Sequence, residues 1–252
     1  MRKNVIAIVP AAGLGKRLGS GTNKPFYSLL NKPLLAWTIE ALEQVEEISE
    51  IIPVLKESDM EGAVRTFEQY SFSKVKRIAP GGNERQDSVY HGLKLADAKA
   101  GIVLVHDGAR PLITAGTVRE IIAALDGFDG VVAGVPVKDT IKETGPEALE
   151  RAGTASRDGA DERKAHVVRR TVKRESLWSI QTPQVFRCDV LVKAYEKAMD
   201  EGFYGTDDSG LVERIGGRVR VVMGSYDNIK ITTPEDILVA EGLLRRRLNE
   251  GL

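Results

Sequence analysis

The chain has 252 residues, which suits one large α/β domain or two small ones, and its 42% hydrophobic and 29% charged side chains are the balance of a globular protein rather than a disordered one. Lys+Arg 36 against Asp+Glu 36 gives a formal net charge of +0, which argues against a broad nucleic-acid footprint and makes any anion site a local cluster of cations. The one cysteine, Cys188, excludes an internal disulfide, and with three scattered histidines it argues against a thiolate zinc site.

The first predicted strand is Val5 to Val9. Arg2 and Lys3 before it imitate the start of a signal peptide, but Pro10 stops the apolar run, short of the roughly 7–15 residues of a secretory core. No other run approaches the roughly 18 apolar residues of a membrane span. The expectation is a buried strand in a cytoplasmic protein with no membrane partner. Next comes "PAAGLGKRLGSGTNKPF", glycines and cations placed where that strand ends. Leu34, Leu35, Ile39, Leu42 and Val45 then recur at helical spacing, as do Val118, Ile121, Ile122 and Leu125 further on. Strands are predicted at Ile51 to Leu55, Val75 to Ala79, Ile102 to Val105 and Val131 to Val135. Runs apolar on both faces fit a parallel sheet covered by helices, and their alternation with helices predicts an α/β fold with right-handed crossovers. Ligands of such sheets sit beyond the carboxyl ends of the strands, where Pro10 to Lys24 and His106 to Pro111 fall.

From Lys142 to Lys173 the rhythm breaks. "ASRDGADERKA" has almost no apolar side chain, while its flanks, "VKDTIKE" and "HVVRRTVKRESLW", alternate in the manner of strands. The prediction is a protruding β-arm over about residues 138–176, with a polar tip that reads as a surface insertion, on a single domain spanning 1–252. Pro234 to Leu248 is a closing helix with Pro234 in its first turn.

The glycine-rich stretch admits three phosphate-binding readings. A Walker loop needs a hydroxyl after its lysine, and Lys16 is followed by Arg17. A dinucleotide fingerprint needs a third glycine where Leu18 stands, although Glu57 could imitate its ribose-binding acid. The third reading is a nucleotidyltransferase loop, in which backbone amides wrap a triphosphate and fixed cations neutralise it. "PAAGLGKRLG…NKPF" resembles the signature loop of sugar- and polyol-phosphate nucleotidyltransferases. "GGNERQDSV", "VHDGARP", "VKDTIK", "QTPQVF", "TDD" and "DNIKITTPED" follow in the order of one family, the 2-C-methyl-D-erythritol 4-phosphate cytidylyltransferases of the non-mevalonate isoprenoid pathway. The resemblance runs from Ile6 to about Leu244. Ribitol 5-phosphate cytidylyltransferase is the alternative. Its loop usually reads closer to Leu-Ala-Gly-Gly, where this chain has Pro10-Ala11-Ala12-Gly13. It lacks the Gly108-Ala109 pair, and it carries serine in place of Asp227.

The resemblance implies a Rossmann-like, mostly parallel sheet with a β-arm for dimerisation, and transfer of a cytidylyl group from CTP to a polyol phosphate with release of pyrophosphate. The acceptor phosphate is already largely dianionic (second pKa about 6), so no strong general base is needed. Catalysis then rests on positioning and on stabilising charge at the α-phosphoryl group. Arg17, Lys24 and Lys230 are the implied catalytic cations. Gly13 and Gly15 are expected to let backbone amides reach the triphosphate, Pro10, Ala11 and Ala12 to line the CTP site, with the Ala11-Ala12 backbone limiting the base to a pyrimidine, and Gly81, Gly82, Asn83 and Ser88 to hold the cytosine. Asp107 is assigned to both CTP and substrate, Arg110, Thr182 and Asp227 to the substrate, with Thr206 and Asp207 beside them. Thr140 and Arg174, at the two ends of the arm, are implied to reach the substrate phosphate of a neighbour across a homodimer. Arg85 is expected to be structural and His106 a packed, hydrogen-bonded histidine. Magnesium is expected on the CTP phosphates, with no residue named as a direct metal ligand. A competing class is a catalytically silent nucleotide-binding regulator, which the retention of Arg17, Lys24 and Lys230 disfavours.

Overall fold

The computed structural model describes residues 4–13, 24–96, 100–145 and 166–250. Strand β1 (Val5–Pro10) is followed by the short pair β2 (Ser28–Leu29) and β3 (Lys32–Pro33), helix α1 (Leu34–Glu43), β4 (Ile48–Leu55), α2 (Glu57–Gln69), β5 (Ala79–Pro80) and α3 (Arg85–Leu95). The chain continues through β6 (Ile102–Val105), α4 (Ala115–Ala123), β7 (Gly130–Pro136), β8 (Lys142–Thr144), β9 (Val168–Thr171) and β10 (Trp178–Arg187). It closes with α5 (Cys188–Asp200), α6 (Asp208–Arg214), β11 (Val219–Met223) and α7 (Pro234–Asn249).

Seven strands form one mixed, mostly parallel sheet in the order β11-β7-β10-β6-β1-β4-β5. β1 lies in parallel between β4 and β6, and β10 runs antiparallel to β6 with Gln184 opposite Val105 and Arg187 opposite Ile102. The covered α/β sheet predicted from the doubly apolar runs is therefore present. One strand prediction needs correction, and one strand was not predicted. Val75 to Ala79 shrinks to a bridge between Val75 and Ile51 and the two-residue β5, because Arg77 turns aside to pair with Glu50 at 2.6 Å. β10 enters the middle of the sheet although Gln181, Thr182, Pro183 and Gln184 give it no apolar run. Glu57, the possible ribose-binding acid, opens the first turn of α2.

Alternation along β1 divides the core. Val5, Ala7 and Val9 face a cluster with Leu35 and Ile39 of α1, Phe67 of α2 and Ile121 of α4. Ile6 and Ile8 face Val89 and Leu93 of α3, Leu191 and Tyr195 of α5, and Leu211 of α6. Each large side chain buried in this way stabilises the fold by roughly 1.5–3 kcal/mol before the ordering entropy is subtracted. Gly92 lets α3 lie close on the sheet, since a Cβ there would stand 2.6 Å from Ile8 Cγ2. A third cluster joins Leu29, Leu34, Leu112 and Ile231 to Ile237, Ala240 and Leu244 of α7. Pro234 occupies the first turn of α7, and Asp236 caps it by accepting from the Thr232 and Thr233 amides at 2.7 and 2.8 Å. No helix among the described residues is long and apolar enough to cross a membrane.

The chain divides into two compact units, Met1–Gly134 with Ile180–Leu252, and Val135–Ser179. In the second unit β8 and β9 pair antiparallel, Lys142 opposite Thr171 and Glu143 opposite Arg170. The polar tip predicted between them falls largely at 146–165, outside the described residues.

Candidate active site

A pocket opens beyond the carboxyl ends of β1 and β6, inside the larger unit. Three loop segments wall it, Pro10 to Gly13, Gly82 to Arg85 and Asp107 to Ala109, and the side chains of Lys24 and Lys230 add positive charge. The sheet positions these loops directly. The Ala11 amide donates to the Val54 carbonyl (2.8 Å), that of Gly81 to Leu55 (2.7 Å) and that of Gly108 to Pro10 (3.1 Å). Residue 81 has to be glycine, because a Cβ would sit 2.3 Å from the Ala12 Cβ. Gly13 lines the cleft, and among the described residues nothing lies within 4 Å of the point its Cβ would occupy.

Asp107 is the electrostatic centre. Its Oδ1 accepts from Arg85 Nε at 3.1 Å, while Oδ2 lies 2.9 Å from Lys230 Nζ and 3.5 Å from Arg110 Nε. Burial acts to raise its pKa, but Arg85, Lys230 and Arg110 outweigh burial and hold the carboxyl well below the usual carboxylate range. Lys230 reaches this point because its neighbour Ile231 is anchored in the α7 cluster and bonded through its amide to the Ala109 carbonyl (2.9 Å).

Behind Asp107 runs a chain of hydrogen bonds with one consistent direction. The Asp107 amide donates to Thr182 Oγ1 (2.9 Å), that hydroxyl donates to His106 Nδ1 (3.1 Å), and His106 Nε2–H donates to the Arg110 carbonyl (3.2 Å). The tautomer follows from the carbonyl, which can only accept. Burial pulls the imidazole down to about 4, so His106 is neutral, and it is packed and hydrogen-bonded as the sequence reading expects. Arg110 Nη1 donates in turn to the Asn228 carbonyl (2.8 Å), and Asn228 Nδ2 donates to the Thr182 carbonyl (2.9 Å).

Several predicted contacts are engaged elsewhere. The Gly81 amide is bonded to Leu55 and the Gly82 amide to Ser88 Oγ (3.1 Å), whose own proton goes to the Glu84 carbonyl (3.1 Å). The Thr182 hydroxyl serves His106 and Asp107, and the Asp227 carboxylate is paired with Arg246 Nη2 at 2.6 Å. Asp207 caps α6, accepting from the Gly210 amide at 3.0 Å, and Thr206 beside it is exposed. Gly15 and Arg17 lie outside the described residues. In the second unit, bonds from Val172 to Ile141 (2.9 Å) and from Val137 to Leu177 (3.1 Å) bracket Thr140 and Arg174. Both are exposed, and Arg174 Nη1 donates to the Lys138 carbonyl at 2.6 Å. The sequence reading missed Asn228, Gln181, Asp208 and Tyr195 as parts of the site's support. The quoted motifs contained all but Tyr195, but only the folded chain says which members face inward.

Comparison with known proteins turns this geometry into a family assignment. Residues 5–246 match the family model described as 2-C-methyl-D-erythritol 4-phosphate cytidylyltransferase. The chain belongs to that family. A family member from Caldanaerobacter subterraneus subsp. tengcongensis is 44% identical over 96% of this chain and 100% of its own, and one from Desulforamulus reducens is 39% identical over 97% of each. Among solved structures, 4-diphosphocytidyl-2C-methyl-D-erythritol synthase from Anaerococcus prevotii superposes with TM-score 0.80 at 32% identity, covering 96% of each chain. The cytidylyltransferase from Thermus thermophilus follows with TM-score 0.72 at 29% identity, over 95% of this chain and 98% of its own. These matches make the chain a nucleotidyltransferase of the methylerythritol phosphate type, and the ribitol 5-phosphate alternative is not favoured.

Proposed function

We propose that the cleft transfers the cytidylyl group of CTP to 2-C-methyl-D-erythritol 4-phosphate, giving 4-diphosphocytidyl-2-C-methyl-D-erythritol and pyrophosphate for isoprenoid precursor synthesis in the cytoplasm. The observation that carries the reading is the family match over residues 5–246, set on a pocket whose cations stand at the carboxyl ends of β1 and β6. Lys24 and Lys230, with Arg17 from the glycine-rich loop, stabilise the charge that builds on the α-phosphoryl group. An acceptor phosphate needs no general base, which agrees with a His106 whose two ring nitrogens are both engaged. Gly13, at the wall of the cleft, brings its backbone to the phosphates.

Cytosine recognition shifts within the predicted loop. With the Gly81 and Gly82 amides paired internally, the loop's carbonyl oxygens and the Asn83 amide read the base edge. A carbonyl facing the amino group of cytosine would meet the carbonyl of uracil instead, so the pocket prefers CTP. Magnesium fits this donor set only through the triphosphate. Among the described residues no cluster of three or more acidic, histidine or cysteine side chains is poised to hold a metal, and Asp107, already ringed by cations, would meet at most the waters of an ion carried by the phosphates. Such an ion would neutralise triphosphate charge and ease the departure of pyrophosphate. Thr140 and Arg174 hold the acceptor phosphate of a neighbouring copy, so the chain works as one catalytic domain with its arm, in a homodimer with shared sites.

Incubation with CTP, Mg2+ and 2-C-methyl-D-erythritol 4-phosphate, followed by pyrophosphate release and mass spectrometry of the product, tests the reaction. Turnover with ribitol 5-phosphate instead would change the acceptor. Turnover with neither, beside intact CTP binding, would leave the silent regulator.

A further inference from the structure

Arg85, Asp208 and Tyr195 take no part in the reaction as proposed above, yet the fold buries Asp208 and Tyr195 completely and ties the part-buried Arg85 to them. Arg85 opens α3 at the wall of the cleft, and each of its guanidinium nitrogens has an assigned acceptor. Nε donates to Asp107 Oδ1 at 3.1 Å, Nη1 to Asp208 Oδ1 at 3.1 Å and Nη2 to Asp208 Oδ2 at 2.8 Å. Asp208, in the first turn of α6, is fully buried, and its Oδ1 also accepts the hydroxyl proton of Tyr195. Tyr195 is itself fully buried on α5 and stacks on Tyr90 of α3, with ring centroids 5.9 Å apart. Three helices thus meet at one buried carboxylate, that of Asp208. A carboxylate without access to water is costly to keep unless its charge is matched, and the match here is Arg85.

The arrangement divides the two oxygens of Asp107. Arg85 occupies Oδ1, which leaves Oδ2 turned to Lys230 and Arg110. It also holds a permanent cation at the wall of a pocket built for a triphosphate, on a leash that keeps it from the phosphates. We propose that Asp208 and Tyr195 form an anchor that locks Arg85 onto Asp107. Arg85 is then a positioning residue, which fixes the orientation of Asp107 and is itself withheld from CTP. The inference rests on the cytidylyltransferase reading of the cleft.

Two variants test it, each checked for folding by thermal unfolding. Asp208→Asn keeps the shape and frees Arg85, so CTP should bind at least about threefold more tightly while kcat falls at least about tenfold, a ground-state gain set against a transition-state loss. Arg85→Lys keeps the charge, but a point-like ammonium lacks the planar fork that meets Asp107 and both Asp208 oxygens at once, so kcat should stay at least about tenfold below that of the unmutated protein. A merely structural charge pair would lower thermal stability in Asp208→Asn without tightening CTP, and lysine at position 85 would restore turnover to within about twofold. Either result overturns the anchor, and Arg85→Lys decides alone should Asp208→Asn not fold. Calorimetric CTP affinity of the folded variants reads the anchor even where the unmutated protein shows no turnover, so failure of the assigned reaction and failure of the anchor are separate results.

Discussion

An ammonium group in a triphosphate cleft can favour the bound substrate, the transition state or both, and Lys24 is placed to separate these cases. It lines the same pocket as Asp107 and Lys230. If it acts on the transferring phosphoryl group, Lys24→Ala lowers kcat on the order of 10²–10³ while the CTP KM changes far less. Steady-state kinetics with both substrates checks this, and a raised KM at unchanged kcat would reduce Lys24 to a ground-state anchor. His106 makes a prediction about stability instead. Its folded pKa, about 4, is depressed from 6.5, so the unfolded chain binds more protons between those values. Stability is fully present above about pH 6.5 and is lost as pH falls toward 4, by up to roughly 3 kcal/mol over the window. Asp107 does not titrate there, because its cations keep it ionised. Urea denaturation at pH 7 and pH 4.5 should show a smaller loss in His106→Gln than in the unmutated protein.

At the scale of elements, α3 matters most, since it carries Arg85 and Ser88 and its first turn meets the cleft. Its seat depends on Gly92. In an isolated helix Gly→Ala is favourable by up to about 1 kcal/mol, but here the added Cβ would meet Ile8 Cγ2 at 2.6 Å and Val54 Cγ2 at 3.2 Å. Overpacking prevails, so Gly92→Ala should destabilise the protein by about 1–3 kcal/mol, measured by chemical denaturation, and lower kcat by shifting Arg85. An increase in stability would mean the helix can slide on the sheet without cost. α4 and α7 were legible in the sequence because one face of each is buried and the other exposed, and α1 because its largest apolar side chains, Leu35, Ile39 and Leu42, fall on one face, which leaves a 3.6-residue period. β10 was not. Its Gln181, Thr182 and Gln184 are buried but satisfied by hydrogen bonds to Ser225, His106 and Asp207, and polarity of that kind leaves no apolar pattern to read.

At the scale of the whole molecule the arm makes a claim about two chains. If Arg174 completes a neighbour's site, Lys24→Ala and Arg174→Ala chains are each nearly inactive alone. In a mixed dimer, one site takes Lys24 from one chain and Arg174 from the other, while the second site carries both lesions. Equal mixing makes about half the dimers mixed, so activity returns to roughly a quarter of the unmutated level in a C₂ pair. Native mass spectrometry confirms the mixing, and a flat activity would assign Arg174 to its own chain. Sequence by itself determined the covered α/β sheet, the family and the cation-rich loops at the strand ends, because apolar periodicity and short motifs are local properties of the chain. Only the tertiary structure decided which groups are available to a ligand. Whether the Gly82 amide, the Thr182 hydroxyl or the Asp227 carboxylate faces the cleft depends on partners from 6 to 76 positions away, Ser88, His106 and Arg246, and a hydrogen bond across such distances is set by how the elements pack.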